Sequence, residues 1–173
     1  QTLFSEGRGG MDPTSALLDA VLKYKTLHSE DKTAKNHYLY DDQERFLDFT
    51  LGGQSFPIEL TPGKIRNQFR SIECQIMDWA DDTAYSLNDI ADGIHAGFIN
   101  VSRIEAWAAA KPVSEAEAPH LEFLIKAIHE QRVEARLNRC IGNCIRSCSL
   151  TEDSNFLSAT SRRHQFRLLV SPE

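Results

Sequence analysis

Asp81, Tyr85 and Asp89 stand four residues apart. At 3.6 residues per turn each is rotated only about 40° from the last, so two carboxylates and a phenol line one edge of a helix. Carboxylates supply hard oxygen ligands for a cation, and a phenol adds a group that donates and accepts hydrogen bonds. A plain solvated helix face looks much the same. Tyr85 and the small residues Ala80 and Ala84 argue instead that something packs close to this edge. Asp82 is the alternative within the Asp-Asp pair, but its side chain points about 100° away. Asp81 is preferred because it alone shares the edge with Tyr85 and Asp89. Asp78 and Asp92 lie off the edge and read as solvated or capping residues. Glu73 and Met77 continue it toward the helix start.

The element that must position these residues is legible in the same stretch. Ile72, Ile76, Trp79, Ala80, Thr83, Ala84, Leu87, Ile90, Ala91 and Ile94 recur at three- and four-residue steps, with no Pro or Gly before Gly93. That spacing predicts a helix starting between Lys64 and Ser71 and running to about Gly97, about 40 Å long if unbroken from Ser71. Gly93 and Gly97 are the points where it bends or ends.

The run Met-Asp-Trp-Ala-Asp-Asp-Thr-Ala-Tyr-Ser-Leu-Asn-Asp-Ile-Ala-Asp-Gly, residues 77–93, resembles the last metal-ligand helix of the deoxyguanosine triphosphate triphosphohydrolases. These are the dGTPase-like dNTP hydrolases of the HD-domain superfamily. The upstream Leu-Leu-Asp-Ala-Val-Leu-Lys-Tyr-Lys, residues 17–25, looks like a second segment of that family in the matching order and separation. The resemblance covers roughly the first hundred residues well and the remainder poorly. It implies an all-α, multi-helix bundle of HD-domain type, present in part. It implies that Asp81 matches the final metal-ligand aspartate for a divalent ion such as Mg or Mn in the complete enzyme. By the same resemblance Tyr85 lies beside the substrate's sugar and α-phosphate, and Asp89 meets the sugar hydroxyl. The chemistry implied is hydrolysis of a deoxynucleoside triphosphate to deoxynucleoside and inorganic triphosphate. Oligomers are implied for the family, and the long apolar helices allow one. Single-stranded DNA sites also occur in parts of the family, but no residue here supports one.

One departure from the family pattern is serious. Its other ligands are an early His and a His-Asp doublet, and no His-Asp dipeptide occurs here. His28, His37, His95, His120, His129 and His164 are each followed by another residue type. One aspartate does not hold a catalytic metal, so no catalytic residue is assigned within the chain. The start at Gln1, with the first Met at position 11, points to an excised or processed piece of something longer. On this reading residues 1–173 are a single helical region, the C-terminal portion of a dGTPase-like protein, inactive alone. A non-catalytic helical interaction or regulatory module is the rival.

Composition sets the remaining bounds. The 173 residues suffice for one domain or the larger part of one. A hydrophobic content of 41%, a charged content of 25% and a formal net charge of −6 are ordinary for a globular protein and give no overall basic footprint for nucleic acid. No apolar run reaches membrane-spanning length and no signal peptide is visible, which leads to a cytoplasmic expectation. Thr14 or Asp12 offers an N-cap, with Pro13 near the first position, for a helix ending near Leu27 whose apolar face is Ala16, Leu17, Ala20, Val21 and Tyr24. A short helix over residues 43–51 faces Phe46, Leu47 and Phe49 inward and is stopped by Gly52-Gly53. Asn100 or Ser102 caps a helix that ends before Lys111-Pro112. After Pro119 one long helix buries Leu121, Leu124, Ile125, Ile128, Val133, Leu137 and Ile141 and reaches toward Cys148. Residues 165–170 form a short strand or an extended tail.

Cys140, Cys144 and Cys148 fall at four-residue steps, which on one helix span about 12 Å, too far for one ion. They read as buried reduced thiols. Arg162-Arg163-His164 with Arg167 reads as a solvated terminal cluster.

Overall fold

The computed structural model describes residues 11–33, 35–53, 55–57, 59–60, 63–152 and 161–171. They divide into two compact units. One draws on residues 1–79 and 149–169, the other on 80–148 and 170–173. Among the described residues the chain is mostly helical, with a two-stranded antiparallel sheet near the C-terminus. The long helix α3, Ile72–His95, contributes residues to both units. It begins later than the sequence predicts, because a 3₁₀ turn, Lys64–Gln68, precedes it.

In the first unit Thr14 caps α1, Ser15–Val21, by accepting a hydrogen bond from Leu17 N at 3.1 Å. The helix stops six residues before the expected Leu27. Asn67 accounts for this: its Oδ1 accepts the Lys25 and Thr26 backbone N–H groups at 2.8 and 3.0 Å, replacing the bonds a continuing helix would make. Leu27 then pairs with Leu39 as an isolated parallel bridge. The expected apolar face is also wrong. Leu17 is 47% and Val21 54% exposed, while Asp19 turns inward at 2%. Helix α2, Glu44–Thr50, follows a 3₁₀ turn, Asp41–Gln43, and buries Leu47 and Thr50. Phe46 is half-buried, but Phe49, expected inside, is exposed. Gly52 and Gly53, at φ +65° and +74°, stop the helix as predicted. Leu27, Leu47, Leu60, Phe69 and Cys74 form the apolar interior of this unit.

The strands are β1, Cys148–Glu152, and β2, Phe166–Val170. The strand expected over 165–170 is therefore present, and its partner was not foreseen because residues up to Cys148 read as helix. The side chain of Gln75 acts as one peptide group beside β2. Its Oε1 accepts Leu168 N at 3.1 Å and its Nε2 donates to Phe166 O at 3.0 Å. This satisfies one donor and one acceptor that a strand edge leaves open.

The second unit is built on the C-terminal part of α3. Asn100 caps α4, Val101–Ala110, with Oδ1 accepting Arg103 N at 3.0 Å, and the helix ends before Lys111-Pro112 as expected. The single long helix expected after Pro119 is two, α5 Ala118–His129 and α6 Val133–Arg146. Gln131 breaks them at φ +53°, where the Arg132 N–H turns back to Ala127 O at 3.1 Å. The break allows Ala127 and Val133 to be buried together with Leu137, against Leu87, Ile90, Ala91 and Ile94 of α3. Each large apolar side chain fully buried is worth about 1.5–3 kcal/mol, which outweighs the bonds lost at the break. Ile141, expected inside, is 37% exposed. Gly93 lies within α3, at a position where a Cβ would meet Ile99 Cδ1 at 2.9 Å. It does not end the helix; the chain leaves helical geometry after His95, close to Gly97 at φ +75°, the second of the two expected points.

Candidate functional site

Asp81, Tyr85 and Asp89 all lie on α3, and all three are exposed, Tyr85 at 64%. Asp82 is exposed as well. Of the residues from 80 to 89 only Thr83 and Leu87 are half-buried. The small residues Ala80 and Ala84, which argued for a close neighbour, are open to solvent. Among the described residues no group of three or more His, Cys, Asp or Glu side chains is placed to hold a metal ion. A divalent cation needs several oxygen or nitrogen ligands at once. The described residues therefore do not make a metal site by themselves, and Asp81 would have to be joined by further ligands.

The flanks of the edge differ from expectation. Asp78 is neither solvated nor a cap: its carboxylate binds Lys23 and takes a 2.7 Å hydrogen bond from Arg70 Nη1. Glu73 receives the Arg163 guanidinium, from Nε at 3.0 Å and Nη2 at 3.0 Å, and that hydrogen bonding holds its carboxyl below the usual range. Met77 is exposed and has no assigned contact.

The first unit holds a second polar arrangement that sequence reasoning missed. Lys25 is fully buried; its ammonium donates to Phe69 O at 2.7 Å and Leu22 O at 3.1 Å and stands 3.1 Å from Asp19 Oδ1 as an ion pair. Asp19 Oδ2 faces His164 Nε2 at 3.2 Å and Arg163 Nη1 at 3.6 Å. The His164 contact is close enough for charge attraction but is not aligned as a hydrogen bond. The His164 ring lies parallel on Phe69, centroids 4.0 Å apart. Burial pushes the Asp19 carboxyl up, but His164 and Lys25 outweigh it and hold the group below the ordinary carboxylate value. Burial pulls the Lys25 ammonium down by more than Asp19 returns.

Arg162-Arg163-His164 is thus not a solvated cluster: His164 is 5% exposed and Arg163 bridges Asp19 and Glu73. The sequence signal was an acid six residues before a lysine in a largely apolar stretch. That pattern alone does not reveal a histidine far along the chain.

The cysteines form no ligand set. Cys140 and Cys144 lie on α6, but Cys148 opens β1, so the three do not share a helix. Cys74 is fully buried, the other three are half-buried, and all four are free. Burial pushes the Cys74 and Cys140 thiols up, which disfavours the thiolate needed for metal binding or attack.

What the fold and the edge define together is a mostly helical chain presenting two carboxylates and a phenol on an exposed helix edge. The chain is similar to proteins named deoxyguanosinetriphosphate triphosphohydrolase-like protein. It is 37% identical over 98 residues to that of Streptomyces coelicolor, covering 55% of this chain and 20% of the relative. To that of Corynebacterium efficiens it is 38% identical over 94 residues, 53% of this chain and 20% of the relative. To that of Shewanella sediminis it is 31% identical over 105 residues, 60% of this chain and 19% of the relative. The chain thus spans about a fifth of the length of the curated relatives it matches. No protein-family model matches it.

Proposed function

We propose that this chain is one part of a metal-dependent dNTP triphosphohydrolase of the dGTPase-like, HD-domain kind. In it Asp81 is the last metal-ligand aspartate, Tyr85 stands beside the sugar and α-phosphate, and Asp89 accepts a hydrogen bond from the sugar hydroxyl. The reaction is hydrolysis of a deoxynucleoside triphosphate to deoxynucleoside and inorganic triphosphate. The observation that carries the reading is the similarity to triphosphohydrolase-like proteins in a chain whose Asp81–Tyr85–Asp89 edge is left uncovered. The remainder of the HD domain would cover that edge and bring the missing histidine and aspartate ligands. A carboxylate and a phenol left without sugar hydroxyls would be unpaired in a closed site, so they select the ligand that pairs them.

Triphosphate release by a longer protein containing this chain tests the reading. Release from deoxynucleoside triphosphates is expected, and Asp89→Asn should lower kcat/KM by about ten- to a hundredfold, the size of one charge-assisted hydrogen bond of roughly 1.5–3 kcal/mol. A parent protein that folds but releases no triphosphate sinks the proposal. The chain by itself should show no micromolar affinity for Mg or Mn by calorimetry, because one aspartate is too few ligands. Micromolar binding would show that the site is complete without the rest.

A second reading, a non-catalytic helical interaction module, draws on the same exposure. Phe98 is 72% exposed just beyond α3, in the same unit as Asp81, Tyr85 and Asp89. On that reading the acidic edge is a solvated border of a docking face, and substitution of Asp81 changes no turnover anywhere.

A further inference from the structure

A pocket of about 490 Å³ lies in the first unit, and its wall includes Tyr24, Asp31, Lys35, Asn36, His37 and Asn67. That volume is within the roughly 300–1,000 Å³ of small-molecule sites. Asn67 ties the wall together. Its Oδ1 accepts the Lys25 and Thr26 N–H groups, and its Nδ2 donates to His37 O at 3.1 Å. His37 stands at φ +69°, a conformation that a non-glycine residue keeps only where its surroundings hold it. Its ring lies on that of Tyr24, with centroids 4.5 Å apart and planes 20° from parallel. Lys23 and Arg70 also lie against the Tyr24 ring, at 5.7 and 6.0 Å from its centroid. The exposed imidazole of His37 is therefore the aromatic surface left open.

The polar groups around this ring are uncommitted. Among the described residues the Lys35 ammonium, the Asn36 amide, the Tyr24 hydroxyl and both His37 ring nitrogens make no hydrogen bond or ion pair. Lys35, Asn36 and His37 are exposed, so a ligand can use their polar atoms without breaking a bond of the fold. Asp31 is committed instead: its Oδ1 accepts Thr33 N at 3.2 Å and Thr33 Oγ1 at 2.6 Å.

We infer that this pocket binds a planar aromatic ring carrying a single anionic group. The ring lies on the His37 imidazole, Asn36 pairs with polar atoms on the ring edge, and Lys35 takes the anionic group. A bare anion leaves the aromatic surface unused, and a bare ring leaves the ammonium unused. A polyanion is disfavoured, because the Asp31 carboxylate shares the wall with the Lys35 ammonium. A nucleoside monophosphate and a free aromatic carboxylic acid both present this chemistry. The site stands apart from the reading of Asp81, Tyr85 and Asp89 and does not depend on it.

Calorimetric titration of the intact chain with adenosine monophosphate, and separately with indole-3-acetate, tests the inference. Saturable binding of at least one is expected, and the tighter of the two identifies the source. Each part alone, adenosine or phosphate, indole or acetate, should bind at least about tenfold more weakly than the whole. Adenosine triphosphate should bind no more tightly than the monophosphate. Lys35→Gln should weaken binding of the whole ligand about tenfold. His37→Asn removes the ring but keeps a residue that tolerates positive φ, and should weaken binding as much. Lys35 makes no bond in the described fold, so its variant should keep the melting curve by circular dichroism and decides the matter even if His37→Asn unfolds. No saturable binding of either acid, tighter binding of the triphosphate, or full affinity in Lys35→Gln overturns the site.

Discussion

Asp19→Ala should destabilise the first unit by about 3 to 5 kcal/mol, the usual cost of removing one partner from a buried ion pair. Asp19 is 2% exposed and Lys25 fully buried, so the lysine would be left buried without its counter-charge. The Arg163 and His164 groups that converge on the same carboxylate would lose it too. Denaturant unfolding followed by Trp79 fluorescence in a Trp107→Phe background reports this unit, because Trp79 and Trp107 are the two tryptophans and lie in different units. The double variant Asp19→Leu with Lys25→Met should recover most of the loss, since replacing both charges by apolar groups of similar size is often neutral. A silent single variant would mean that the cluster is solvated in solution.

The same carboxyl sets an acid limit. Its folded value is held below the unfolded one, so the group binds fewer protons folded than unfolded as pH falls. Its stabilisation is therefore complete above about pH 4, the ordinary aspartate value, and is lost as pH drops through the folded value. Asp19→Asn should remove this slope while keeping the shape of the side chain.

In a longer protein containing the chain, Asp81→Ala should abolish triphosphate release, while Asp82→Ala should retain most of it. A ligand aspartate supports several kcal/mol of the rate, so its loss costs at least about a thousandfold at 1.36 kcal/mol per factor of ten. Asp82 is the right control because it has the same chemistry and the same exposure, one residue away, and differs only in direction by about 100°. Both side chains lie on the surface of α3, so neither substitution should change the melting curve of the chain. Full activity with Asp81→Ala would falsify the assignment. Loss with Asp82→Ala instead would move the ligand to the neighbouring face of the helix.

The comparison of sequence and structure runs along physical lines. Helix α3 was legible because its apolar residues repeat at helical steps for more than twenty residues, and such repetition has few alternative explanations. The caps were legible to within two candidates each, Thr14 or Asp12 and Asn100 or Ser102, because capping is local: a side chain within three residues satisfies the N–H it caps, and the structure uses Thr14 and Asn100. The end of α1 was not legible, because a residue more than forty positions away takes the N–H groups of Lys25 and Thr26. The split between α5 and α6 was hidden as well. An apolar pattern that runs on through Gln131 looks unbroken until the two halves fold onto each other and onto α3.

By itself the sequence determined the spacing of Asp81, Tyr85 and Asp89, the helix that carries them and the likeness to triphosphohydrolase-like proteins. All three follow from local order along the chain, which a helix converts directly into direction. Only the tertiary structure decided that this edge lies open and that Asp19, Lys25 and His164 meet in the interior. Those facts depend on which distant segments come together, and burial, not spacing, sets the energy of a charge.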